Sequence, residues 1–179
     1  MVPPGSADQG TIPGLGMRPN KSLRAGLALL AVVVAAHPAA GRLATEKIVI
    51  DTQKGPKTFT VEIAADDAAR AMGLMHRTRL AHDAGMLFDF HKPVMTAFWM
   101  KDTPLPLDII FVRPDGTVSM VAANAPPNST SEIVSPEPVR AVIELNGGAA
   151  RDFGIGPGDK VHAKAFGDTA PFDQRRKRH

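Results

Sequence analysis

At 179 residues, 44% of them hydrophobic, the chain has room for one domain with a genuine core and some appendages. It contains no Cys, which excludes disulfides, thiolate metal sites and cysteine nucleophiles, and it has no apolar run of about 18 residues that would read as a permanent membrane span. The formal charge of +3 belongs to the ends. Residues 41–174 carry 14 Lys and Arg against 17 Asp and Glu, and a nucleic-acid reader should carry its positive charge on the folded face, so no nucleic-acid partner is expected.

Residues 1–16 are rich in Gly, Pro and Ser without an apolar period, and they read as a disordered leader. From Met17 the chain runs MRPNKSLR, AGLALLAVVVAA, HPAAGR. A positive stretch, an apolar run of about a dozen residues and a small-residue exit make a Sec-type signal peptide. Translation from Met17 would give that peptide its ordinary length, with cleavage after Ala36, Ala40 or Gly41. The expected address is therefore the periplasm or the medium. A single domain is expected over residues 42–167, followed by a disordered basic tail, residues 168–179.

Lys47–Asp51 and Thr58–Ile63 alternate apolar and polar residues around Lys54-Gly55-Pro56, a strand–turn–strand signal. Asp66 is a natural N-cap for a short helix over 67–76, weakened near its end by Gly73. Strands are expected at Gly85–Phe90 and Met95–Met100, then a proline-rich loop, Thr103–Pro106. Asp108–Val112 and Thr117–Ala122 flank Pro114-Asp115-Gly116, a hairpin turn in which Pro fixes φ and Gly accepts a positive one. A polar loop over 125–137, a strand at Val139–Leu145, a helical turn within Gly147–Phe153 and a last strand, Lys160–Ala165, complete the chain. Eight or so short strands with one good helix predict an all-β sandwich or closed barrel.

Several blocks also fall in a familiar order: Arg70-Ala-Met-Gly-Leu-Met75, Gly85-Met-Leu-Phe88, Phe98-Trp-Met-Lys101, Pro106-Leu-Asp-Ile-Ile-Phe111 and Asp115-Gly116, continuing through Glu144-Leu145 and Gly158-Asp159. Over residues 46–165 the chain resembles the domain of unknown function 192 family. The resemblance implies a compact β-sandwich or barrel of jelly-roll character, often exported, with no established reaction. One block departs from the family, where Phe-Trp-Met-Lys usually continues Asn-Thr; here Asp102 precedes Thr103. An ionised Asp supplies only acceptors where Asn could also donate.

Trp99, Lys101, Asp102 and Asp108, with Arg70, are the candidate ligand-binding residues. A flat apolar platform beside charged groups suits a small polar ligand, and the competing reading packs Trp99 in the core with Lys101 reaching out to solvent. Asp108 and Glu144 each sit in an intensely apolar strand, so each must be paired, hydrogen-bonded or shifted in pKa. Together they could serve a carboxylate hydrolase acting on glycan-like substrates, or each could be structural. Met72 and Met75, three apart on the helix, with His76, His82 and His91 suggest a copper site, against the plainer reading of Met as core filler. No Gly-rich phosphate loop or G-x-S-x-G elbow is present. No cofactor and no resident metal are expected. The leading expectation is an envelope module that binds a small molecule or a partner protein.

Overall fold

The structure, a computed structural model, describes residues 42–168. The expected leader and signal peptide, and almost all of the basic tail, lie outside those residues. Among the described residues no helix is long and apolar enough to cross a membrane.

The domain is all-β with short helices. The strands are β1 (Thr45–Thr52), β2 (Gly55–Ala64), β3 (Ala84–Val94), β4 (Ala97–Phe98), β5 (Leu107–Val112), β6 (Val118–Ala125), β7 (Ile133–Val134), β8 (Val139–Asn146) and β9 (Lys160–His162). Helix α1 spans Asp67–Met72 and α2 spans Ala149–Phe153. Seven strands form one sheet in the order β6-β5-β8-β3-β2-β1-β9, while β4 pairs with β7 alone. The large sheet curls into a half-barrel. Its edges are tied by backbone bonds: Val118 N–H donates to Asp159 O at 2.8 Å, Gly158 N–H to Val118 O at 2.9 Å, and Val161 N–H to Gly116 O at 2.8 Å. Register shifts between Asp89 and Val94, and twice along β5–β6, supply the local twist that such a curl needs.

Strand alternation sorts side chains into two cores. Ile48, Ile50, Phe59, Val61, Leu87, Ile110 and Ile143 pack within the curl, against α2. Met86, Phe88, Ile109, Phe111 and Val142 face the other way, with Leu74 and Met100 packed over them. All six residues of β5 are consequently buried, which explains why LDIIFV reads as a continuous apolar run. Gly85 is required by close approach. A Cβ there would stand 2.4 Å from the Glu144 carbonyl oxygen and 2.6 Å from a Leu145 methyl carbon.

The structure redraws some expected boundaries. The helix expected over 67–76 stops at Met72, because Gly73 turns to φ +50 and its N–H closes back on Ala69 O. The chain then swings so that His76 N–H donates to Asp102 O at 2.7 Å. The strand expected over 95–100 shrinks to β4, since Met100 N–H leaves the ladder for Ser129 O at 2.9 Å. Its partner β7 lies in the expected polar loop. The last strand ends at His162 and gives way to a 3-10 turn, Lys164–Phe166, whose first N–H donates to the Glu46 carboxylate at 2.7 Å. Finally, β2 and β3 run parallel, a crossover that needs the intervening α1 and loop.

Candidate functional site

β8 lies between β3 and β5, and Glu144 projects from it with Val142, on the face away from the curl's interior. Its cross-strand neighbours are Met86 on β3 and Ile109 on β5, so neither flanking strand brings it a cation or a donor. The side chain is 5% exposed, and its Oε2 is completely buried with no hydrogen-bond partner. Burial alone pushes the carboxyl up to about 8. At neutral pH it is therefore mostly a carboxylic acid, able to donate one O–H and to accept.

Above Glu144 the cover does not close onto the sheet. Helix α1, the segment 96–103 and β3 leave a cavity of about 380 Å³ with Glu144 in its lining. Phe88 and Phe90 come from β3, Phe98 and Trp99 from the segment that contains β4, and Met72 and Met75 from α1 and its exit. Phe98 is fixed edge-on against Phe88, with ring centroids 4.9 Å apart, and against Phe111 at 6.1 Å. Arg70 anchors the helix side of the cavity. Its Nη1 donates to Ala65 O at 2.5 Å and to Asp89 O at 2.7 Å, while Nη2 meets Asp67 at 2.5 Å and the guanidinium lies 5.6 Å from the Phe90 centroid.

Among the described residues, the large apolar side chains left exposed are Met72, Met95, Trp99 and Val134. Three of them, Met72, Trp99 and Val134, lie in this cover or paired to it. Met72 and Trp99 line the cavity itself, and Val134 pairs with Ala97, which also lines it. Such clustering differs from scattered surface apolar residues, which need no explanation. Trp99 is 47% exposed, a platform at a mouth rather than a packed core residue.

Of the residues singled out from sequence, the structure brings Arg70, Met72, Met75, Trp99 and Glu144 into one cavity and leaves Lys101, Asp102, Asp108, His76, His82 and His91 outside its lining. Lys101 Nζ lies 5.6 Å from the Trp99 ring centroid, beside the mouth. Asp102 is exposed at φ +53, a left-handed conformation that Asp and Asn both tolerate, so the departure from Asn preserves the backbone requirement. Asp108 is fully buried on the opposite face of the sheet from Glu144, sharing it with Ile110 and Val112. Its carboxylate accepts Asn124 N–H at 2.7 Å, Gly148 N–H at 3.1 Å and Ala150 N–H at 2.7 Å, which ties β6 and the start of α2 to β5. The two carboxylates thus do not share a cleft. Met72 and Met75 do line the cavity, while among the described residues no three His, Asp or Glu side chains gather as metal ligands. The aromatic wall was missed. Phe88, Phe90 and Phe98 look like ordinary strand residues, and the available signal was Glu144, a carboxylate inside VIEL.

Comparison with known proteins places the chain among others of this architecture. A candidate transcription regulator of Sinorhizobium meliloti 1021 is 41% identical over 71% of this chain and 99% of its own, with a TM-score of 0.68. A protein of unknown function from Novosphingobium aromaticivorans DSM 12444 is 43% identical over 72% of this chain and 91% of its own, with a TM-score of 0.67. No match is found among curated proteins. The model of the DUF192 family, described as an uncharacterized ACR, matches residues 48–163. The chain belongs to the DUF192 family.

Proposed function

We propose that this chain is an exported envelope module that binds a small, largely apolar molecule in the cavity over Glu144. The observation that carries the reading is the buried, unpartnered carboxyl oxygen of Glu144 beneath that cavity. A buried polar group without a partner costs about 1–3 kcal/mol, so an acid kept there at that cost, with Glu144 in the cavity lining, supports a binding role. Aromatic and thioether walls with a few polar groups, here Glu144, Arg70 and two threonines, are the usual make-up of a small-molecule site. A hydrolytic pair of Asp108 and Glu144 draws no support from this geometry, because Asp108 holds three backbone N–H groups across the sheet. The description of the Sinorhizobium protein raises a regulatory role. A ligand-sensing cavity is compatible with one, while the acidic body speaks against direct contact with nucleic acid.

A thermal-shift screen of a small-molecule library on the full chain and its Trp99→Ala variant tests the binding reading. Stabilising hits that disappear in the variant support it; an absence of such hits refutes it. Export rests on the leader and is tested by fractionation. Leu29→Arg, which places a charge in the apolar run, should keep the product in the cytoplasm, and unchanged distribution would count against a signal peptide.

A further inference from the structure

We infer that the ligand meets Glu144 with a hydrogen-bond acceptor, a carbonyl-type oxygen on an aromatic body, and that organic cations are not the class this cavity takes. This inference rests on the cavity being a binding site, as proposed above. Three features of the site lead to it.

The first is the surroundings of Glu144. A carboxylate there would need a counter-charge or several donors, yet β8 is flanked by Met86 and Ile109, and Arg70, the cation in the cavity lining, spends its guanidinium on Ala65 O, Asp89 O and Asp67. Oε2 is sealed and unpartnered. A cationic ligand would force the ionised form and leave that sealed oxygen carrying unsolvated charge. A neutral acid faces no such cost and presents an O–H to the cavity.

The second is the charge at the mouth. The ionisable side chain that lines the cavity besides Glu144 is Arg70, and Lys101 lies against Trp99. Asp67, the partner of Arg70, is fully exposed, and it is screened by water. Asp102 and His76 stand outside the lining. Lys101 stands outside the lining as well and Arg70 is already paired with Asp67, so the lining offers an incoming ammonium no free carboxylate, while Lys101 beside Trp99 favours an acceptor oxygen at the mouth.

The third is the wall. Phe98 is held at right angles to Phe88, and Phe90 and Trp99 line the same cavity as Glu144, so the walls offer ring surface to an aromatic ligand whose acceptor oxygen meets the acid. The cavity of about 380 Å³ accommodates a ring with such a substituent.

The probes are benzamide and benzylamine, which share a ring and differ in the head group. The chain has one Trp and no Tyr, so fluorescence excited at the indole band reports from Trp99 at the mouth. Titrations of the full chain run from pH 6 to pH 9, on the wild type, Glu144→Gln and Glu144→Ala, with circular dichroism confirming each fold. Benzamide should bind at pH 6 and lose about tenfold in affinity by pH 9 as the Glu144 proton leaves. In Glu144→Gln the amide N–H takes over as donor, so binding persists and the pH dependence disappears. In Glu144→Ala binding at pH 6 should fall about tenfold or more. Benzylamine binding that strengthens with pH and vanishes in Glu144→Gln would overturn the acceptor assignment and leave the binding site standing. If neither probe binds while library hits depend on Trp99, the acceptor class is wrong and the binding reading survives. If there are no such hits either, both fall.

Discussion

Glu144→Gln is the substitution that most directly tests the picture of a neutral acid buried without a partner. The unfolded carboxyl titrates near 4.5 and the folded one near 8. Between those values the folded chain holds a proton that the unfolded chain has released. The wild type is therefore at its most stable, as far as this group is concerned, below pH 4.5, and it loses about 1.4 kcal/mol per pH unit from there up to pH 8. The whole window amounts to about 5 kcal/mol. Gln is close to Glu in size and neutral throughout, so its burial cost has no such slope. The variant should match the wild type within about 1 kcal/mol at pH 5, exceed it by about 3 kcal/mol at pH 7, and exceed it by about 5 kcal/mol at pH 8.5. Urea unfolding followed by circular dichroism at the three pH values measures each difference. A stability difference that stays constant from pH 5 to pH 8.5 would refute the assignment of Glu144 as a proton-holding group.

The other substitutions separate framework from site. Asp108→Asn removes the charge that three backbone N–H groups converge on and turns an NH₂ toward donors, so the urea midpoint should drop by the equivalent of about 3 kcal/mol. Gly85→Ala pushes a methyl against the Glu144 carbonyl in the neighbouring strand and should cost about 3 kcal/mol by the same measurement; a neutral result would mean that β3 and β8 can separate at that point. Trp99→Ala, in contrast, truncates a half-exposed side chain and should change calorimetric stability by under about 1 kcal/mol while abolishing ligand-dependent stabilisation. A large loss of stability would assign Trp99 to the core instead.

How far the sequence revealed this molecule depended on whether the signal was local. KIVID, TFTVEI and DIIFV announced β1, β2 and β5 because the pleat forces alternate residues to opposite sides and both sides are apolar in the central strands. Asp66 announced α1 because its side chain caps Ala69 N–H at 2.8 Å. The end of α1 is set by Gly73 at φ +50, while the path of the chain beyond it depends on a contact between His76 and Asp102, residues that lie 26 positions apart. β7 escaped notice for a related reason: a two-residue strand has no periodicity to detect, and Val134 finds Ala97, inside the strand expected over 95–100, only across the cover. The parallel pairing of β2 with β3 is equally silent, because alternation does not encode a neighbour's direction. In the site, Trp99 and Glu144 were both conspicuous as residue types, one as the lone Trp and the other as a carboxylate among aliphatics. Their convergence required the fold. So did the divergence of Asp108 from Glu144, since adjacent strands place Ile109, not Asp108, opposite Glu144.

The place of β8 in the sheet also governs the order in which the molecule can assemble. Before Val139–Asn146 is available, the chain can make β6-β5 and β3-β2-β1 as separate pieces, each with an apolar flank and neither with its partner. β3 and β5 acquire a common neighbour only when β8 slides between them. The pairings that build both cores thus span long stretches of chain, which makes folding slow relative to helical domains of this size. A fragment ending ahead of Val139 would have no core to hold. The strand that supplies the cavity's single acid is also the last large piece of the sheet, so a cavity with Glu144 in place certifies that the rest of the fold has closed around it.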